Sequence, residues 1–517
     1  MRLNDTAPDR LLVGSATKTY ARIEEALFEQ AQIIRAKEAV VDGESYTYEF
    51  LAARVRINAA MLADKGLKPG DRAAVYLDKT IDAVIALYSV WAAGGVLVPV
   101  NETLRSRQVQ HILRHSGSTI LISNARKLSQ LHADLLEEVA VHSIDMRAEE
   151  AGTRSSFQPM NGGVEAAAIL YTSGSTGLPK GILLSHDNLL AGTRIVSEYL
   201  MIQEDERIIS ILPFSFDYGL NQLLTSVYRG ATLVLQRSHF PPDICRTLQA
   251  QDVTAMAAVP SLWIQLMQDH SPFSRMAFPK LRYITNSGGV FPPDLVRRYH
   301  ARLPGARIYL MYGLSEAFRS TYLPPEQIPL RPHSMGKAIP ETDIYVVNEA
   351  GQECPPGEVG ELVHRGPTVA LGYWQDPEAT SAVFRRMASI PQATDECVVF
   401  SGDLVRKDDE GYLYFVGRRD QLIKSSGYRV SPEEVEVVIL SSGMVHEVGV
   451  CGRHDPVSGT SIVAHVVPRA ASGFSTEDLL GYCRREMPAY MVPKQVHAHA
   501  SLPRTTTGKI DRKALAP

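Results

Sequence analysis

The chain has 517 residues, 45% of them hydrophobic and 21% charged, and its 53 basic against 57 acidic residues leave a formal charge of −4. That length and composition allow a large buried core and exclude disorder as the chain's main character. Near-balanced charge argues against a dedicated nucleic-acid binder, which carries a basic excess. At about 150 residues per unit the length corresponds to roughly three domain-sized parts.

The opening MRLNDTAPDR carries acids and a proline where a secretory signal needs an apolar run. The most apolar stretch, 80–100, contains Asp82 and is broken by Gly94 and Gly95, so it reads as a buried helix and strand rather than a membrane span. The pattern predicts a helix over 82–93, a strand over 96–100, a helix over 105–116 and a strand over 119–123. An apolar run at 164–171 is a strand or a helix end, and strands follow at 231–236, 253–259 and 307–311. Strands separated by helices of this length predict βαβ units and largely parallel sheets.

After about Gly336 glycine, proline and glutamate become frequent, and short strands up to Val416 predict a small antiparallel or barrel-like subdomain. From about Asp420 a compact α+β segment follows, with elements at 435–441, 447–451, 461–467 and 476–485. The expected fold class is therefore α/β, with a large domain at 1–419 and a small one at 420–517. The five cysteines are dispersed, with no metal-ligand spacing, which points to a reducing, cytoplasmic setting without a disulfide framework.

The run Thr172-Ser173-Gly174-Ser175-Thr176-Gly177-Leu178-Pro179-Lys180-Gly181 supplies unobstructed backbone N–H groups, hydroxyls and one cation, the parts needed to hold a polyphosphate. It is not a Walker A loop, because Lys180 follows a proline and precedes a glycine. With Tyr171 before it and Ser185-His186 after it, this string resembles the signature of the AMP-forming adenylating enzymes. That superfamily comprises acyl-CoA synthetases, the adenylation domains of nonribosomal peptide synthetases, and firefly luciferase. The resemblance continues in order through Tyr312-Gly313-Leu314-Ser315-Glu316, Ser401-Gly402-Asp403, Gly417-Arg418-Arg419-Asp420 and the PRTTTGKI of 503–510. Within the superfamily, YLMYGLSEAFRSTYLPP and VGRRDQLIKSSGYRVSPEEVE are most similar to acyl-CoA ligases that accompany exosortase A systems.

The resemblance implies a two-step reaction. A carboxylate attacks the α-phosphorus of ATP, releasing pyrophosphate, and a thiol then takes the acyl group from the adenylate and expels AMP. The acid is already ionised at neutral pH, so no general base is required and the work is electrostatic. By resemblance Glu316 holds Mg²⁺, Ser315 donates to the α-phosphate, and Tyr312 and Gly313 lie along the adenine. Asp403 accepts from the ribose hydroxyls and Arg418 contacts ribose or phosphate. Lys180 and Lys509 supply the cations, Lys509 bridging the approaching anions from a mobile C-terminal domain. Asp420 is the expected hinge, with Gly427 and Tyr428 lining a tunnel for the thiol of CoA or of a carrier-protein phosphopantetheine.

The acid pocket is expected at Phe216 and Asp217, with Asn286, Ser287, Gly288 and Gly289 as another wall. Many acyl-CoA synthetases have histidine where Phe216 stands, whereas Phe-Asp resembles enzymes that activate amino acids, the Asp pairing with the α-ammonium. The plain alternative is that Asp217 only N-caps a helix over 218–228. The leading expectation is an acid–CoA ligase. Amino-acid loading of a carrier protein is the alternative, and an inactive nucleotide-binding interaction module or a luciferase-like oxidation is more remote.

Overall fold

The computed structural model describes residues 19–131, 140–143, 165–173, 179–387, 397–419, 421, 423–425, 428–455, 459–469, 473–487, 489, 491–505 and 508–515. Two large sheets form its frame. The seven-stranded sheet runs, edge to edge, through Gly372–Tyr373, Pro179–Ser185, Ala166–Ser173, Val96–Pro99, Arg72–Tyr76, Ile120–Ser123 and Ala140–Ser143. Its strands from Ala166–Ser173 to Ala140–Ser143 are parallel neighbours. Between them run Ile81–Ala92, buried on nearly every side, and Ser106–Ser116, which ends at Gly117 in the left-handed conformation. The apolar run at 164–171 is thus a strand.

The nine-stranded sheet is parallel from Arg307–Leu314 through Tyr283–Asn286, Ala255–Ala258, Arg207–Ser210 and Thr232–Leu235 to Glu38–Asp42. Buried on both faces, its central strands read as nearly continuous apolar runs. Antiparallel strands close its edges, Glu44–Thr47 at one and Ala317–Leu323 with Lys337–Ala338 at the other. The carboxyl ends of the four parallel strands ending at Ser210, Ala258, Asn286 and Leu314 face one crevice, the usual ligand position in such sheets.

Asp343–Val347, Val359–Arg365, Cys397–Lys407, Phe384–Arg386 and Leu413–Arg418 make the antiparallel subdomain expected after Gly336. The C-terminal part has its own core, with Val435, Ile439, Val450, Ala464, Val466 and Leu479 buried. It packs the helices Pro432–Ser441 and Thr476–Glu486 on the sheet of Val445–Asp455, Gly459–Pro468 and Gln495–Ala498. Among the described residues, no helix is long and apolar enough to cross a membrane.

Candidate active site

The polyphosphate loop is a hairpin connection. Ala166–Ser173 and Pro179–Ser185 pair antiparallel with Thr172 opposite Lys180 and Ser173 opposite Pro179. Gly174, Ser175, Thr176 and Gly177 lie outside the described residues. His111 on Ser106–Ser116 holds the returning strand through Pro179 O, 3.1 Å from its Nε2. Lys180 Nζ stands 3.9 Å from Asp376 Oδ2 and 5.4 Å from the centre of the Tyr373 ring. His186 follows the Ser185 N-cap and is structural. It is buried with Nδ1 accepting from Ile23 N, and desolvation pushes its pKa down to about 3.

Ser315 and Glu316 form the tip of the hairpin between Arg307–Leu314 and Ala317–Leu323, where Leu314 pairs with Ala317 and the register slips across Gly313. The tip is pinned by Ala370 N, which donates to Glu316 O at 2.9 Å. Glu316 is half-buried, and the Tyr373 hydroxyl donates to its Oε1 at 2.6 Å, fixing the carboxylate plane. An oriented carboxylate of hard oxygens suits Mg²⁺, which typically uses one or two carboxylates plus substrate phosphates. Among the described residues, no group of three or more His, Cys, Asp or Glu side chains is placed to hold a metal ion.

Asp403 and Arg418 meet because their strands place them opposite one another. Arg418 Nη1 lies 3.1 Å from Asp403 Oδ1, and the Tyr312 hydroxyl donates to Asp403 Oδ2 at 2.5 Å. Burial raises the Asp403 pKa, opposed by Arg418, Tyr312 and Lys509. Behind Tyr312 the ring of His364 stacks at 5.9 Å, fully buried, with both nitrogens unpartnered and its pKa pushed down to about 3 by desolvation.

Lys509 reaches this crevice from the tail of the chain. A tight turn presents it, with Gly508 N donating to Thr505 O at 2.9 Å and Thr505 N to Lys509 O at 2.8 Å. Gly508 has φ +83° in this turn, a conformation suited to glycine. Arg504 anchors the turn, donating to Gly508 O at 2.9 Å and pairing with Glu447 at 2.7 Å. Gly288, with φ +83°, marks the meeting point: a methyl built on it would lie 3.6 Å from Phe216 Cζ and 3.8 Å from Lys509 Cε. Lys509 keeps solvent contact in the open cleft, yet protein surrounds its ammonium closely enough for desolvation to lower its pKa, with Asp217 and Asp403 opposing.

Asp217 opens the helix Asp217–Arg229, but its side chain does not cap it; Phe216 is the N-cap residue, correcting the capping alternative. Instead Asp217 Oδ1 accepts from Tyr218 N at 2.6 Å and Oδ2 faces Arg319 Nη1 at 3.8 Å, both side chains buried. Burial raises the Asp217 pKa, opposed by Arg319, the Tyr218 amide and Lys509. Asn286 and Ser287 are buried at the end of their strand, and Asn286 Nδ2 donates to Gly289 O at 3.4 Å. The expected hinge Asp420 and tunnel residue Gly427 lie outside the described residues, while Tyr428 begins the strand Tyr428–Val430.

The structure therefore gathers Lys180, Tyr312, Glu316, Asp403, Arg418, Phe216, Asp217, Gly288 and Lys509 around one crevice, and adds Tyr373, Asp376 and Arg319. The sequence reading did not single out these last three. Tyr373 and Asp376 sit in a Gly-Tyr-Trp-Gln-Asp run whose only local signal is its aromatics. Arg319 lies in a mostly buried strand, where the one charged residue is the signal.

The sequence matches the family model described as AMP-binding enzyme over residues 27–374, and that of the AMP-binding enzyme C-terminal domain over 434–509. The chain belongs to the AMP-binding enzyme family. It is 28% identical over 501 residues to gramicidin S synthase 2 of Brevibacillus brevis, an alignment covering 95% of this chain but only 11% of that protein. It is 28% identical over 482 residues to oxalate–CoA ligase of Arabidopsis thaliana, covering 89% of this chain and 91% of that one. Among solved structures it is similar to o-succinylbenzoate CoA synthetase of Bacillus subtilis in complex with the acyl-adenylate intermediate OSB-AMP. The TM-score is 0.83 and the identity 28%, over 95% of this chain and 97% of the other. The same synthetase is also solved with ATP and a magnesium ion.

Proposed function

We propose that the protein is an AMP-forming acid–thiol ligase. ATP and a carboxylic acid give an acyl-adenylate and pyrophosphate, and a thiol then takes the acyl group and releases AMP. The observation that carries this reading is Lys509, delivered from the far end of the chain to a crevice facing Asp217 and Asp403. An ammonium there offsets the repulsion between an incoming carboxylate and the α-phosphate, and a donor aimed at developing charge is worth about 2.7–4 kcal/mol. Asp403, braced by Tyr312 and Arg418, is arranged to accept the ribose hydroxyls. Thr172, Ser173 and Lys180 would hold the polyphosphate, and Ser315 would donate to the α-phosphate. Glu316 would hold magnesium, which when bound neutralises phosphate charge, and Tyr373 would orient that carboxylate.

We assign the ATP and acid sites to residues 1–419 and the mobile lysine-bearing domain to 420–517, turning about Asp420. Rotation would withdraw Lys509 and bring Gly427 and Tyr428 to the thiol path. CoA is the acceptor we favour, because the matched oxalate–CoA ligase and o-succinylbenzoate CoA synthetase are, by name, CoA enzymes along nearly their whole length. Loading of a carrier-protein phosphopantetheine remains the second reading, since the peptide synthetases contain a matching segment. Five free cysteines suit a cytoplasmic setting. The test is ATP–pyrophosphate exchange over a panel of fatty, aromatic and amino acids, followed by thioester formation with CoA. Exchange with no acid, despite ATP binding, removes the proposal.

A further inference from the structure

The pair Asp217–Arg319 lies beside the place where Lys509, Phe216 and Gly288 converge. Arg319 is 2% exposed, and its guanidinium carbon sits 5.0 Å above the Tyr218 ring and 5.3 Å from that of Phe318. Those faces and the Asp217 carboxylate hold it in position. Gly313 packs against it, a methyl there standing 3.3 Å from the Arg319 Cα and 3.5 Å from Nη1. Yet Nε and Nη2 are shielded from solvent and have no acceptor. Leaving a buried donor unsatisfied costs about 1–3 kcal/mol, more for a charged group.

What Arg319 lacks is acceptors rather than a counter-charge, which Asp217 already provides. A second carboxylate would add a negative charge beside Asp217, and an α-ammonium would compete with a resident guanidinium and bring no acceptor. A neutral carbonyl or hydroxyl oxygen meets the need without either cost. The nearby hydroxyls are already engaged, Tyr218 with Thr285 and Tyr312 with Asp403. Building on the ligase reading, we infer that Arg319 is a specificity-determining residue that receives an uncharged oxygen of the acid, so that the preferred substrates are hydroxy- or oxo-carboxylic acids.

The experiment is pyrophosphate exchange with sets matched in carbon skeleton: the unsubstituted acid, its hydroxy and oxo derivatives, its α-amino derivative and the corresponding diacid, over straight chains and benzoates. The expected result is a preference in kcat/KM of about 10- to 100-fold for a hydroxy- or oxo-acid over the unsubstituted parent, the scale of a hydrogen bond to a charged group. Arg319→Met erases that preference and Arg319→Lys keeps part of it, with ATP binding retained by both. The wild-type panel decides even if the Met variant fails to fold. Best use of unsubstituted acids, diacids or amino acids overturns the role of Arg319 while leaving the ligase standing. Exchange with no acid removes the ligase reading and this inference together.

Discussion

Replacing Lys509 by alanine separates the two half-reactions. The ammonium faces both Asp217 and Asp403 and acts where the acid meets the α-phosphate. Losing one such preorganised donor costs about 2.7–4 kcal/mol, so adenylation falls by roughly 10²- to 10³-fold. The fold is barely touched, because the turn that carries Lys509 is held by its own backbone bonds and by the Arg504–Glu447 pair. Thioester formation from a supplied acyl-adenylate, with Lys509 withdrawn, stays within about twofold. Pyrophosphate exchange reads the first step, and AMP release from synthetic acyl-adenylate plus thiol reads the second. Equal loss in both assays would refute the division of labour between two faces of the small domain.

Desolvation lowers the Lys509 pKa, so the charged form is lost at a pH below the ordinary 10.5 as alkali is added. Adenylation kcat/KM should show an alkaline limb below that value, and Lys509→Arg, which stays charged, should remove it. Tyr373→Phe frees the carboxylate that the hydroxyl holds at 2.6 Å, and should raise the magnesium needed for half-maximal exchange by about 3- to 10-fold at unchanged melting temperature. Gly336 has φ +88°, and a methyl there would stand 1.8 Å from Tyr322 O. Gly336→Ala should therefore destabilise by more than ~3 kcal/mol in a urea titration. His186 and His364 have folded pKa values of about 3, so the stability they confer is complete above 6.5 and drains as pH falls from 6.5 towards 3. Each should remove about 2 kcal/mol at pH 5, and His364→Phe should flatten that acid limb.

Much of the frame was legible from the sequence because its signals are local. The helix expected over 82–93 is Ile81–Ala92, and the strand expected over 96–100 is Val96–Pro99, set off by Gly94 and Gly95. The motif residues Tyr312, Glu316, Asp403 and Lys509 were found by their neighbours in the chain, and the fold places them around one crevice. The partners that tune them were not legible, because they are distant in sequence. Tyr373 lies 57 positions from Glu316 and Asp403 lies 91 from Tyr312, distances closed only by the sheets. Asp217 shows the limit best. Sequence offered an N-cap or an ammonium ligand; the structure removes the N-cap role and adds a buried partner, Arg319, that is distant in sequence.

That pair also explains how one crevice serves two anions without collapsing on its own cations. Lys509 and Arg319 both face Asp217, and Arg418 and Lys509 both face Asp403, so each carboxylate is shared between a guanidinium and the Lys509 ammonium. Under the proposed rotation of the small domain, Asp217 would keep Arg319 and Asp403 would keep Arg418, and neither would be left as a lone buried charge, whose exposure to low dielectric would cost several kcal/mol. The lysine can therefore leave at modest cost. A site built with Lys509 as the sole counter-ion to these two acids would hold its tail shut, and the thiol would have no way in.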